Sequence, residues 1–381
     1  MRKALIAAAL AGAVLAAGAW IAYQAFKPYR AYSGAALVKL EPGMGAADAA
    51  RLLASRGVLR SRVPFLALYA LSRYRRRTLK AGEYLFDRPL SPRDVYWKLV
   101  HGDIYYHLVV IPEGSDRFDI ARILQEKLRI DPQDFLRASG EVALIRDLDP
   151  EAPTLEGYLF PDSYRFPAST TAAAAVEAMV ARFRQVLDLR FRQYLNSGER
   201  SLHDAVTLAS LVEKETPDSG ERPEIAGVFA RRLERGMLLE CDPTVTYAER
   251  IKEAAGAAAP SKPQPITANA LNSASPYNTY RHAGLPPGPV CSPGAAALEA
   301  ALHPAPGDTL YFVSNLHGGH IFARTLEEHQ RNVARYRQAA AADHGTATDG
   351  RAAAAPSAQR APIDRRGRHT QGKSRRHRGD S

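Results

Sequence analysis

The residues of this chain best suited to chemistry are two glutamates, Glu213 and Glu215, which close an apolar run just before Pro217. Apolar residues at 205, 208, 209 and 212 have the spacing of one helix face, and proline cannot continue a helix. The sequence therefore predicts a helix with Glu215 in its last turn. Unpaired carbonyls and the negative end of the helix dipole favour a neutral carboxylic acid there. Such a group can serve as a general acid, as glycosidic bond cleavage requires.

The plain alternative for the Glu-Lys-Glu sequence is a solvated surface turn, which position on a helix alone does not exclude. The downstream segments shift the balance. They are rich in Gly, Pro, Asn and Tyr, which are typical of ordered turns: Glu240–Tyr247, Ser275–Tyr280, Gly284–Gly288, Ser292–Gly294 and Gly318–Phe322. Aromatic rings pack on the apolar faces of sugars, and amides and hydroxyls bind the ring substituents. Together these segments favour a polysaccharide site near Glu215.

The same motifs resemble those of the YceG-like family, from the N-terminal apolar segment to about Tyr336. The resemblance is carried by Glu156–Tyr164, Val212–Thr216, Glu221–Arg222, Phe229–Leu233, Gly236–Met237, Asp242–Tyr247, Tyr277–Tyr280, Gly284–Gly288, His303–Pro304 and Gly318–His320. Periodicity separates Glu215 only weakly from Glu213, since both lie off the centre of the apolar face. The resemblance decides, because it implies that the second glutamate of Glu-Lys-Glu-Thr is the catalytic acid.

The resemblance implies a lytic transglycosylase acting within peptidoglycan strands. Glu215 would protonate the oxygen between N-acetylmuramic acid and N-acetylglucosamine, then accept the muramyl C6 hydroxyl proton, leaving a 1,6-anhydro end. One residue would be acid and base in turn, so a second carboxylate is not required. Glu213, Asp242 and Glu240 are the nearest candidates if a second carboxylate contributes. The residues expected to touch the glycan are Glu213, Asp242, Thr244, Tyr277, Asn278 and Tyr280. Asp242 is also expected to begin a turn with Pro243 and to cap the adjoining structure.

The N-terminal segment from Ala4 to Phe26 carries no charge over 23 residues. A helix of this length, about 35 Å, would cross a hydrocarbon core of about 30 Å. A cleaved signal peptide is the alternative, although its apolar region is normally shorter. Flanking charges balance and do not set the orientation. The resemblance places residues 1–3 in the cytoplasm and everything after Lys27 in the periplasm, as a single-pass protein of the inner membrane.

An internal repeat lies between this segment and the glutamates. Val38–Gly43 followed by Ala50–Leu53 matches Val109–Gly114 followed by Ala121–Leu124, at an offset of 71 residues. Each copy predicts a strand, a glycine turn and an amphipathic helix. Residues 36–105 resemble a LysM-like module, which would either touch glycan or serve as a rigid spacer. The basic run near Arg73 and Arg75–Arg77 is ordinarily a solvated face, though it could meet anionic lipid or stem-peptide carboxylates.

The two cysteines, Cys241 and Cys291, both lie among the turn motifs. In an oxidising compartment they would form a disulfide or remain two buried thiols, and the sequence leaves both open. His282, His303, His317 and His320 lack metal-ligand spacing, so no metal is expected, and Gly318–His320 predicts a turn entering a strand. No cofactor is expected either, because no phosphate loop and no pyridoxal-type lysine setting is recognisable.

Composition fits an α+β protein with more than one core. The chain has 381 residues and a formal net charge of +11, much of it in a basic tail. The predicted organisation is a transmembrane helix (4–26), the LysM-like stem (36–105), the second repeat and a linker (106–151), a catalytic domain (152–337) and a disordered tail (338–381). Glycan strands and the inner membrane are the expected partners, with penicillin-binding synthases implied by the resemblance and nucleic acid not expected. The alternative function is a catalytically silent glycan-binding scaffold for those synthases.

Overall fold

The computed structural model describes residues 1–73, 78–192, 200–255 and 265–346, without the side chains of Arg73 and of 341–346. Arg75–Arg77 and residues 347–381 of the predicted tail lie outside the described residues. The chain divides into two compact units that interleave in sequence: unit 1 comprises 1–112, 120–138 and 162–178, and unit 2 comprises 113–119, 139–161 and 179–381. Three antiparallel two-stranded sheets among many helices confirm the predicted α+β class.

Unit 1 begins with helix α1 (Arg2–Phe26), which is long and apolar enough to cross a membrane. Its 25 residues correspond to about 37 Å. Strand β1 (Ala36–Leu40), helices α2 (Ala46–Ser55) and α3 (Arg62–Arg73), strand β2 (Gly82–Phe86) and helix α4 (Pro92–His101) follow. β1 pairs with β2, placing Val38 opposite Tyr84. The alternate residues that these strands bury pack with α2, α3 and α4 into one apolar core.

The second copy of the repeat has the structure that the first copy has. Strand β3 (Tyr106–Val110) leads through Gly114 into helix α5 (Arg117–Leu128), as β1 leads through Gly43 into α2. Both glycines adopt left-handed backbone, with φ of +80° at Gly43 and +73° at Gly114. Helix α6 (Pro132–Ala138) and strand β4 (Ser163–Pro167) complete this copy, and β4 pairs with β3. The predicted repeat is confirmed as strand, glycine turn and helix.

Helix α7 (Ala172–Val186) and a π-helical segment (Leu187–Phe191) lead into the remaining elements, all of which belong to unit 2. These are helices α8 (Leu202–Glu215), α9 (Arg222–Glu234), α10 (Asp242–Ala255), α11 (Ala268–Leu271) and α12 (Ala295–Leu302), strands β5 (Tyr311–Ser314) and β6 (His320–Ala323), and helix α13 (Leu326–Thr346). α8 packs against α9, α10 and α12 and is the centre of this unit. The start of the predicted tail is helical, because α13 continues through residues 338–346.

Candidate active site

Helix α8 carries the predicted acid at its last position. Ser201 caps the amino end by accepting a hydrogen bond from the Asp204 amide, and Pro217 follows the carboxyl end after one residue. The predicted apolar face at 205, 208, 209 and 212 is buried throughout. Glu215 is also buried, with 7% of its surface exposed, so it is not part of a solvated surface turn. The helix and its end are therefore confirmed as the sequence predicts them.

A buried thiol contacts the Glu215 carboxyl. The Cys241 Sγ–H donates to Glu215 Oε1 at 3.1 Å. Cys291, the other cysteine, donates instead to the Ser210 carbonyl at 3.3 Å. Both are free thiols with no exposed surface. The disulfide considered above is thus not formed, because the two sulfurs are directed at different atoms of α8.

Asp242 does not begin a turn, which corrects that expectation: it is the first residue of α10, followed by Pro243. The fixed φ of proline suits the first turn of a helix, and an acidic residue there interacts favourably with the helix dipole. The Tyr280 hydroxyl donates to Asp242 Oδ1 at 2.6 Å. Burial, and Asp242 next, raise the pKa of Tyr280, so this tyrosine remains a neutral donor.

Two buried threonines join these segments. The Thr244 hydroxyl donates to the Cys241 carbonyl at 2.6 Å, and its oxygen lies 2.9 Å from Thr279 Oγ1. Thr279 Oγ1 in turn accepts from the Cys241 amide at 3.0 Å. The start of α10 and the segment around Thr279 are therefore linked to each other and to Cys241, whose thiol contacts Glu215.

The Tyr277–Tyr280 segment supplies structure as well as side chains. Asn278 is fully buried, its amide donating to the Leu271 and Ser273 carbonyls and accepting from the Tyr280 amide. These bonds hold the loop in shape and fasten it to the last residue of α11, which indicates a shaping role for Asn278. Tyr277 packs edge-on against Tyr247, with ring centroids 5.2 Å apart.

Glu213 and Lys214, which lie next to Glu215 in the sequence, bind other segments of unit 2. Glu213 forms a buried ion pair with Arg222, at 2.8 Å, and accepts from the Gly294 amide at 2.9 Å. Burial nevertheless raises the pKa of Glu213. Lys214 donates to the Gly114 carbonyl, in the glycine turn of the second repeat. Within this motif Glu213 thus pairs with Arg222, whereas the Glu215 carboxyl contacts the Cys241 thiol.

The contact between Glu221 and His320 joins the N-cap residue of α9 to the start of β6, and it was not predicted from the sequence. Glu221 accepts from the His320 backbone amide at 2.8 Å and lies 2.7 Å from His320 Nδ1. The Thr216 hydroxyl, next to the acid, lies 3.5 Å from the same carboxylate. A Cβ on Gly319 would come within 2.6 Å of Glu221, so the glycine pair before His320 was the available sequence signal. His320 begins β6 after a turn, as predicted.

A second buried acid, Glu156, lies in the Glu156–Tyr164 motif. Its Oε2 accepts from the Tyr247 hydroxyl at 2.9 Å and from the Arg117 amide at 3.0 Å. Burial, and then the charge of Asp116, raise the pKa of Glu156 to about 8. This carboxyl group is therefore mostly protonated at neutral pH, but it is fully enclosed and supports the packing of α10. Within the described residues, no group of three or more His, Cys, Asp or Glu side chains could hold a metal ion.

Comparison with known proteins extends the similarity across most of the chain. The model of the YceG-like family matches residues 38–335. The endolytic murein transglycosylase of Bacillus subtilis is 30% identical over 273 residues, covering 68% of this chain and 73% of that protein. The protein of the same name from Streptococcus pneumoniae R6 is 30% identical over 359 residues, or 85% of this chain and 63% of that protein. The chain thus spans less than two thirds of the pneumococcal relative.

A solved structure gives the same result for the fold. The crystal structure of a YceG-like protein from Listeria monocytogenes is 30% identical in sequence, with a TM-score of 0.53. The alignment covers 79% of this chain and 99% of that one. The family match includes α8, the start of α10 and the Tyr277–Tyr280 segment, the elements that surround Glu215. This chain belongs to the YceG-like family.

Proposed function

We propose that this protein is a membrane-anchored lytic transglycosylase that cleaves within nascent peptidoglycan strands and so ends their elongation. The observation that carries the proposal is the burial of Glu215 at the end of α8, with the Cys241 thiol against its carboxyl. Burial disfavours the charged form of a carboxyl group, so a buried carboxyl retains its proton more readily than an exposed one. The names of the Bacillus and Streptococcus relatives support the same activity and substrate.

In the proposed reaction Glu215 acts twice. As an acid it protonates the glycosidic oxygen, which leaves with the N-acetylglucosamine residue as its C4 hydroxyl. The muramyl C6 oxygen then attacks C1, and its hydroxyl proton passes to the Glu215 carboxylate. The C1–O4 bond breaks, the C1–O6 bond forms, and the acid is regenerated without consuming water.

The neighbouring carboxylates support the use of a single acid and base. Glu213 pairs with Arg222, Glu240 lies 3.4 Å from Arg232, and Asp242 accepts from Tyr280. Each of these groups already binds another side chain, and the proposed reaction requires none of them, whereas retaining and inverting glycosidases need a second carboxylate beside the sugar. Glu213, Asp242, Thr244, Tyr277, Asn278 and Tyr280 remain proposed contributors to the glycan site, with Glu213, Thr244 and Asn278 shaping it through the bonds described above.

The remaining parts of the proposal concern placement. α1 would anchor the chain in the inner membrane, with the N-terminus in the cytoplasm and everything after Lys27 in the periplasm. The LysM-like stem would contact glycan at a cavity of about 240 Å³ in unit 1, lined by the turn from Glu41 to Ala46 and by residues 78–81. Synthases of the penicillin-binding class are the proposed partners, because strand termination must act where strands are made.

The test uses Glu215→Gln, which keeps the size of the side chain but cannot donate the acidic proton. Purified glycan strands are digested and the products identified by mass spectrometry. We expect loss of anhydro-ended fragments of about 10³-fold or more, with glycan binding retained. Glu299→Gln is the matched control, because its exposed pair with Arg190 should not affect cleavage. Cleavage by Glu215→Gln would refute the assignment; reducing ends would indicate a hydrolase, and no product from the wild type would indicate a scaffold.

Glu213→Gln separates the two glutamates of the motif. We expect it to lower the stability of unit 2 while folded molecules still form anhydro ends, because Arg222 loses its buried partner. Cleavage activity is normalised to the fraction of folded protein. An inactive but fully stable Glu213→Gln protein would instead assign the chemistry to Glu213.

A further inference from the structure

The thiol beside Glu215 is unusually well fixed for a cysteine side chain. Its sulfur lies 3.1 Å from Glu215 Oε1, and Cys241 has no exposed surface. The preceding residue, Glu240, adopts left-handed backbone with φ of +51°, and its amide donates to the Thr279 carbonyl. Strained backbone of this kind persists where the surrounding structure holds it in place. The chain thus holds Cys241 against the end of α8.

A closed set of hydrogen bonds fixes the Cys241 backbone. The Cys241 amide donates to Thr279 Oγ1, and the Thr244 hydroxyl donates to the Cys241 carbonyl. Because the Thr244 proton is used in that bond, the Thr279 hydroxyl must donate to Thr244 Oγ1 across the 2.9 Å contact. Both threonines are buried. The three bonds close a ring that fixes the position of the Cys241 backbone, and therefore the position of its Cβ atom.

The protonation state of the thiol follows from its surroundings. Burial, and next the charge of Glu215, raise the pKa of Cys241 well above its ordinary value. The sulfur therefore remains an S–H group and acts as a donor. A thiolate nucleophile or a metal ligand would require the opposite shift.

We propose that Cys241 is a positioning residue for Glu215, its thiol holding one carboxyl oxygen so that the acid faces the scissile bond in a single orientation. A donor of this kind also favours the carboxylate form, which must exist after the first proton transfer and before the second. Thr244 and Thr279 support the same geometry through the Cys241 backbone. The inference rests on the proposed function of Glu215 and adds a residue to that site.

The experiment compares Cys241→Ala, Cys241→Ser and Cys291→Ala in the full chain, measuring kcat and KM on soluble glycan strands across pH. Cys291→Ala is a matched control, because it also removes a fully buried thiol that donates to α8, at Ser210 rather than at Glu215. We expect Cys241→Ala to lower kcat about 10-fold with little change in KM, since supporting groups around reacting residues have effects of this order. Cys241→Ser and Cys291→Ala should stay within about 3-fold of the wild type.

The pH profile distinguishes positioning from a general loss of packing. Removing a donor to the carboxylate lets the acid keep its proton to higher pH. The pH at which kcat falls on the alkaline side should therefore move up by roughly half a pH unit, in Cys241→Ala alone. A Cys241→Ala protein with the kcat of the wild type would overturn the inference. So would a loss of kcat with no change in the pH at which kcat falls on the alkaline side. Should Glu215→Gln still cleave glycan, the proposed function itself fails; if only the Cys241 results fail, that function stands.

Discussion

The acidic residues of unit 2 illustrate how environment separates chemically identical side chains. Glu213 is paired with Arg222, Glu221 binds the start of β6, and Glu156 lies fully enclosed beside Tyr247. Glu215 instead lies at a helix end beside a neutral donor. The proposed reaction needs the last arrangement, because there one carboxyl group gives up a proton and then takes one back.

Glu156 gives stability a predictable dependence on pH. Its pKa is raised from 4.5 to about 8, and that of Asp116 to about 6, in both cases mainly by burial. Between about pH 4.5 and 8 the unfolded chain has released a proton that the folded chain retains. The unfolded state therefore binds fewer protons, and the free energy of unfolding falls as the pH rises through this window. Glu156→Gln is neutral at every pH, so its stability should fall less.

The measurement is urea unfolding of unit 2 at pH 5, 6, 7 and 8, followed by pulse labelling of the buried thiols of Cys241 and Cys291. Both cysteines belong to unit 2 and have no exposed surface, so labelling reports the opening of this unit. Each pulse is calibrated against fully unfolded protein at the same pH. Glu299→Gln should follow the wild type, because the carboxylate that it removes is exposed. Parallel curves for Glu156→Gln and the wild type would contradict the prediction.

At the level of helices and strands, local sequence patterns predicted some elements correctly and gave no information about others. The apolar spacing before Pro217 predicted α8, and the repeated Val-to-Gly segments predicted β1, β3 and the helices that follow. Pattern failed at Asp242, where a Pro and Thr sequence typical of turns begins α10. It also could not give the contact between Cys241 and Glu215, which lie 26 residues apart. Such pairs are set by packing between elements, and helical or strand periodicity carries no information about them.

The loop containing Gly157 offers a test of how tightly α8 is held. Gly157 has φ of +86°, and a Cβ there would lie 2.5 Å from Pro289 and 2.8 Å from Val206 of α8. Gly236 has φ of +63° with nothing within 4 Å. Gly236→Ala should therefore cost about 1–2 kcal/mol, from backbone strain alone. Gly157→Ala should cost about 1–3 kcal/mol more, because it also overpacks the contact.

Thiol labelling in urea measures both glycine variants, since both sites belong to unit 2. The comparison removes the strain common to left-handed glycines and leaves the steric contribution. Equal losses of stability in Gly157→Ala and Gly236→Ala would show that the loop moves away from α8 at little cost. In that case, the position of α8 would depend mainly on its contacts with α9 and α12.

For the whole molecule, the question is which side of the membrane each part occupies. α1 is the described helix long and apolar enough to cross a bilayer, and Trp20 and Tyr23 near its end are of the residue types enriched at membrane interfaces. The charges flanking α1 balance, so orientation has to be measured. The proposed function requires Lys3 in the cytoplasm and Ser33 outside it, because peptidoglycan lies only on the outer side.

One cysteine introduced at either of these positions, with Cys241 and Cys291 retained, tests that arrangement. In intact spheroplasts a membrane-impermeant thiol reagent should label Ser33→Cys, whereas Lys3→Cys should react only after lysis. The native thiols of Cys241 and Cys291 give little background because they are fully buried. Labelling of Lys3→Cys alone in intact spheroplasts would reverse the topology and contradict the proposed activity. A mature chain that has lost the Lys3→Cys site, with a correspondingly lower mass, would instead identify residues 4–26 as a cleaved signal peptide. The membrane anchor would then have to be abandoned, while the catalytic assignment of Glu215 would remain.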